Sequence, residues 1–176
     1  NLATFYDRNS LYTKAEPLRI QALEIRKKVL GESHPDFAGS LNNLAALYYA
    51  MGQFGKAEQL YIQSKDIRKR LFGDIHPDYA VSPSNLAFLY DKMGQFAKAE
   101  SFYLQTLEVM KKLLGESHPG YANSLDNMAT FFDNDGRYEI GDSLHKQARE
   151  IRKKIWDENN PDYAASLETL AIQYDD

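Results

Sequence analysis

Four asparagines stand at a constant interval of 42 residues: Asn1, Asn43, Asn85 and Asn127. A side-chain amide presents a donor side and an acceptor side, which matches the main chain of an extended peptide. Asparagine is also a weak helix former, so its return within a helical pattern requires a reason. Two readings stand side by side. The amides hold the main chain of a ligand, or each ties its own repeat to the neighbouring helix. Arg26, Arg68 and Arg152 keep a register of their own, and Met110 occupies the position between the last two. They lie in basic runs, RKK at 26–28, RKR at 68–70 and RKK at 152–154, with KK at 111–112. Basic side chains at a helix C-terminus answer the negative end of its dipole, so solvated helix ends account for much of this charge. Glu24, Asp66, Glu108 and Glu150 lie within a turn of these runs and nearly cancel them, so no nucleic-acid partner is expected.

His34, His76 and His118 also repeat, yet each falls in a different linker. A metal site needs three or four converging donors, so these histidines are read as helix-capping residues and no metal is expected. His145 is read as isolated on its helix. The carboxylates form no apolar-flanked pair suited to acid and base work, and there is no glycine-rich phosphate loop or serine–histidine constellation. The expectation is a non-enzyme without a cofactor.

These residues are carried by a repeated unit. Gly31 to Phe72, Gly73 to Leu114 and Gly115 to Trp156 are three copies of it, residues 1–30 fit its last part and residues 157–176 its first. Such an array is one domain over 1–176, in which each unit packs on its neighbours without a central core. The chain begins in mid-repeat without methionine and is expected to be a piece of a longer array. A formal charge of −4 and an apolar fraction of 43% imply no polyelectrolyte ligand. With no cysteine, disulfides, zinc thiolates and thiol nucleophiles are excluded, which suits a reducing, cytoplasmic setting. No apolar run approaches the roughly 20 residues that span a bilayer, so no membrane partner is expected.

Within each unit, Ala38, Leu41, Leu44, Ala45 and Tyr48 fall on one helical stripe, and Ala57, Leu60, Tyr61, Ser64, Ile67 and Leu71 form a second. The spacing predicts a helix A near 35–51 and a helix B near 54–72. Pro35, Pro77, Pro119 and Pro161 suit the first turn of A, where a missing N–H costs nothing. Gly31, Gly73 and Gly115 are expected as left-handed caps of B, and Gly52, Gly94 and Gly136 as the turn from A to B. Pro83 inside helix A predicts a local bend. Gly141, in place of the alanines at 57 and 99, and the polar turn Asp133 to Gly136 predict that the last full hairpin is the loosest.

The order of small, Leu-Ala and Tyr residues in A, followed by Ala, an aromatic and a small residue in B, resembles the tetratricopeptide repeat. The 42-residue unit, the G-x-x-H-P-[DG]-[FY]-A linker and E-I-R-K-K-x-L-G are similar to its kinesin light chain branch. The resemblance implies an all-α, right-handed superhelical solenoid of antiparallel helix hairpins whose A helices line the concave side. A second stripe of A would then face the groove. Its members are Gly39, Asn43, Ala46 and Ala50, then Val81, Asn85, Phe88 and Lys92, then Asn123, Asn127, Thr130 and Asn134, with Asn1, Thr4 and Arg8 upstream. The resemblance further implies that the asparagines hold a peptide main chain and that Arg26, Arg68 and Arg152 point at the groove and meet acidic groups. Arg8 and Lys92 would add to that charge, and Phe88 would offer a pocket to a large side chain. The expected function is a scaffold or adaptor that binds peptide segments of other proteins. The alternative is a regulatory or structural arm of a larger signalling ATPase or protease. Self-association through exposed hairpin faces at the array ends, Asn1 to Arg8 and Pro161 to Tyr174, is a further expectation.

Overall fold

In the computed structural model, Ala3 and residues 11–155 are described, and all regular structure among them is helical. Seven helices follow in order: α1 (Tyr12–Leu30), α2 (Pro35–Ala50), α3 (Phe54–Phe72), α4 (Pro77–Lys92), α5 (Phe96–Leu114), α6 (Pro119–Asn134) and α7 (Tyr138–Ile155). The expected A helices are α2, α4 and α6. The chain groups into two compact units, residues 1–102 and 103–176, with the boundary inside α5.

Each A helix begins in the same way. Its proline occupies the first turn, and the histidine before it is the N-cap. The Nδ1 atoms of His34, His76 and His118 accept from the backbone N–H of Asp36, Asp78 and Gly120 at 3.1, 3.2 and 3.0 Å. Each bond satisfies one of the N–H groups that a helix start leaves without an intrahelical acceptor. The capping role expected for the linker histidines is therefore present in all three.

The ends of the B helices differ from expectation. Gly31 and Gly73 have φ of 82° and 79°, but their ψ of 167° and −176° is extended, so neither is a left-handed helical cap. This region of positive φ with extended ψ is open essentially to glycine alone. It turns the chain straight out of the helix into the linker. Through Pro83, α4 continues without interruption, and the ring is buried.

In the first unit α2 packs against α1 and α3, and α3 against α4. Phe37, Ala38 and Leu41 of α2 meet Ile67 and Leu60 of α3 and Leu23 of α1. Ala57, fully buried in α3, lets the helices approach, and Ser64 of α3 donates to the Ala38 carbonyl at 2.8 Å. A polar link then recurs between repeats. The Tyr48 hydroxyl donates to Glu16 at 3.0 Å and that of Tyr90 to Glu58 at 2.6 Å, each joining an A helix to the B helix before it. In the second unit α6 packs on α7, with Ala122, Leu125 and Ala148 enclosed by Leu107, Leu144 and Ile151.

Candidate peptide-binding face

With the core positions of an A helix buried, the register positions two and five residues beyond Leu41 point away from it. Asn43, Ala46 and Ala50 of α2 are exposed, as are Val81, Phe88 and Lys92 of α4. Phe88 leaves 37% of its surface in solvent, a large value for an aromatic ring in a helix packed on its neighbours. On α6, in the second unit, Asn123, Asn127, Thr130 and Asn134 are exposed in the same register. Asn1 and Arg8 lie outside the described residues.

The asparagines divide into two kinds. Asn85 is half-buried and donates from Nδ2 to Asn42 Oδ1 at 2.7 Å, an amide bridge from one A helix to the preceding one. At this position the bond between helices is present. Asn43 and Asn127 are exposed, and each leaves its amide toward solvent.

Each arginine of the series has an acceptor on an A helix. Arg26 donates to Ser40 Oγ at 2.6 Å and to the Asp36 carbonyl at 3.3 Å, and Arg68 to the Asp78 carbonyl at 3.0 Å. Burial lowers the Arg68 pKa, while nearby Asp78 opposes the shift. Arg152 is the most enclosed, only 9% exposed, and holds Asn123 Oδ1 at 2.7 Å and Asp126 Oδ2 at 2.5 Å. Its charge is matched inside the hairpin, so it adds little positive potential at the surface.

In the first unit, Asn43, Arg26 and Ser40 line a recess of about 250 Å³ together with Arg19, Leu18 and Ala22. Arg19 was not singled out by sequence reasoning. It stands where Tyr61 and Tyr103 stand in later copies, so a column-by-column comparison of the repeats would have found it. The same column ends at His145, which is not isolated as the sequence implied. It is buried, with Asp126 and Asp133 against its two ring nitrogens. Among the described residues no group of three or more histidine, aspartate or glutamate side chains is placed to hold a metal ion, and no helix is long and apolar enough to cross a membrane.

Three overlapping stretches, residues 1–70, 36–112 and 78–139, match the family model described as tetratricopeptide repeat. Among solved structures, BtubC (BKLC) from P. vanneervenii is 25% identical, with a TM-score of 0.81 over 99% of this chain and 69% of that one. The nearly identical TPR-like repeats of a Podosopora anserina protein designated a kinesin light chain are 29% identical, with a TM-score of 0.83 over 99% of this chain and 82% of that one. RapI in its apo form shares the fold alone, at 17% identity and a TM-score of 0.70 over 86% of this chain and 53% of its own. No curated protein matches the chain. The helices, the matched repeats and these neighbours make the fold an all-α helical-repeat solenoid of kinesin-light-chain-like type.

Proposed function

This chain belongs to the tetratricopeptide repeat family, and we propose that it is an adaptor whose exposed A-helix face binds a short segment of another protein. The repeat fold is in general a non-catalytic scaffold for protein interaction, and this reading adds the site and the ligand. One observation carries it. Apart from half-buried Asn85, the A helices leave Asn43, Ala46, Ala50, Val81, Phe88, Lys92, Asn123, Asn127, Thr130 and Asn134 exposed in one register, and among these amides and an aromatic ring accompany a single charge, Lys92. Asn43 offers hydrogen bonds to an extended main chain, Phe88 and Val81 offer apolar contact, and Lys92 favours an acidic neighbour. Affinity would then rest on few anchors in a permissive surface.

The test is selection from a random peptide library against the parent chain, followed by affinity measurement with Phe88→Ala and Asn43→Glu. Both sites are exposed, so helicity by circular dichroism should not change. Enriched peptides should carry aromatic or acidic residues. Each variant should weaken them by about tenfold or more, the loss of an anchor worth above about 1.4 kcal/mol. Undiminished binding to both variants would place the site elsewhere.

A further inference from the structure

In the second unit the hairpin of α6 and α7 carries a histidine between two carboxylates where the earlier copies have a tyrosine. Tyr61 and Tyr103 become His145, Asn42 and Ser84 become Asp126, and Ala57 and Ala99 become Gly141, while Asp133 stands where the earlier copies have Tyr49 and Asp91. The substitutions are spatially one feature. A Cβ on Gly141 would lie 1.8 Å from Asp133 Oδ1 and 3.1 Å from the Ala129 carbonyl, so the missing methyl is the space that the Asp133 carboxylate occupies. From there Asp133 Oδ2 lies 3.3 Å from His145 Nε2, while Asp126 Oδ1 lies 2.8 Å from Nδ1. Asp126 also holds Arg152, which holds Asn123.

A neutral imidazole has one N–H and one lone pair, so it can donate to only one of these carboxylates and must turn a lone pair on the other. An imidazolium donates to both. Counted with Arg152, the group then carries two positive and two negative charges, and it is short of one positive charge when the ring is neutral. We infer that His145 acts as a proton-operated latch, closing the α6–α7 hairpin when charged and releasing Asp133 from the space over Gly141 when neutral.

In the turn between the two helices Arg137 pairs with Asp135 at 2.6 Å and lies over the Phe132 ring. From α6 the charges facing the ring are Asp126 and Asp133. On α7, Arg152 acts through Asp126, Asp142 and Lys146 pair with each other at 2.6 Å, and Arg149 lies one turn beyond the ring. From α5 the hairpin meets Tyr103, whose ring is tilted at 34° to that of Phe131 with centroids 5.1 Å apart, and Leu107. The charges of α5 in this unit pair at the surface, Glu108 with Lys112 and Lys111 with Glu116. In agreement, the pKa of His145 is raised, first by its hydrogen bond to Asp126 and then by the charges of both carboxylates, against the opposing effect of burial. A histidine pKa raised by folding gives stability that is whole below the unfolded value and is lost as pH rises through the folded value. The latch therefore opens on the alkaline side.

The experiment follows two signals from the parent chain across that pH range. Ring ¹⁵N shifts of His145 report its protonation, and amide exchange, corrected for its intrinsic pH dependence, reports opening of residues 122–152 against 35–72. We expect both ring nitrogens to remain protonated above the midpoint of an ordinary histidine. The opening constant of 122–152 should rise severalfold through the same titration while that of 35–72 stays level. Asp133→Asn should lower the midpoint, and His145→Gln should abolish the pH dependence of opening. A ring that titrates at or below the ordinary value, an opening constant that ignores the titration, or a His145→Gln chain that keeps the dependence would each overturn the inference. The two parent signals decide the matter even if a variant fails to fold.

Discussion

Replacing Asn85 by alanine removes the donor of its bond to Asn42 Oδ1, and the size of the effect follows from two opposed contributions. A half-buried neutral hydrogen bond contributes about 1 kcal/mol net, within about 0.5 to 1.5. Alanine in place of asparagine inside a helix returns about 0.6 kcal/mol of propensity. Asn85→Ala should therefore cost only about 0.4 kcal/mol, a Tm change of about 1–2 °C for a chain of this size. That small number would conceal the bond. A double-mutant cycle with Asn42→Ala reveals it, because each propensity gain cancels around the cycle and the coupling should be about 1 kcal/mol. Urea titration of the four proteins, fitted with a common slope, supplies the values. Asn43→Ala and Asn127→Ala, whose amides are exposed, should be neutral or gain up to about 0.6 kcal/mol. The reasoning fails if Asn42 and Asn85 are additive within about 0.3 kcal/mol, or if Asn43→Ala costs as much as the bond itself.

Gly141→Ala should evict Asp133 and destabilise by about 1–3 kcal/mol despite the better helix propensity of alanine. Adding Asp133→Ala should restore most of the loss, as read from thermal melts. Alanine at His34, His76 or His118 should cost about 1 kcal/mol at each site, and aspartate, another N-cap acceptor, should retain most of it; equal melting of the alanine and aspartate variants would refute the cap. Tyr61 and Tyr90 have pKa values pushed up to about 12 from 10.0, chiefly by burial, with the bond to Glu58 adding at Tyr90. Folding thus favours the protonated phenol, and the stability it gives is whole below pH 10 and is lost between about 10 and 12. Phenolate absorbance should show Tyr61 and Tyr90 titrating late, with Tyr48 and Tyr49 also raised, and Tyr61→Phe with Tyr90→Phe should remove their part of the alkaline loss.

The hairpins were legible because their signal is repeated: the Pro35, Pro77 and Pro119 starts and the Ala57 and Ala99 approaches recur at one interval, and repetition separates pattern from accident. The linker histidines were legible for the same reason, since a residue that always precedes the helix start is placed to cap it. The exposed stripe followed from subtraction of the core positions. The arginines were less so, because a position near a helix end does not say whether the long side chain reaches outward or folds onto Asp78 or Asp126. The cluster at His145 was the hardest to see. Its members are far apart in sequence, and each departure taken singly, a histidine for a tyrosine or a glycine for an alanine, reads as a weakened core. Only their joint occurrence in one unit shows the acid at 133, which the preceding copy also has as Asp91 beside Ala99, placed over the glycine at 141 and against the histidine at 145.

A chain built of 42-residue hairpins also has a defined response to being pulled. Each unit rests on its neighbours, so tension applied at the ends would be released one hairpin at a time. Every rupture would feed out up to ~140 Å of contour, at about 3.4 Å for each residue. Such an array is a graded extensible tether. With the latch inferred at His145, the acidity of the surroundings would set the load at which the α6–α7 hairpin gives way.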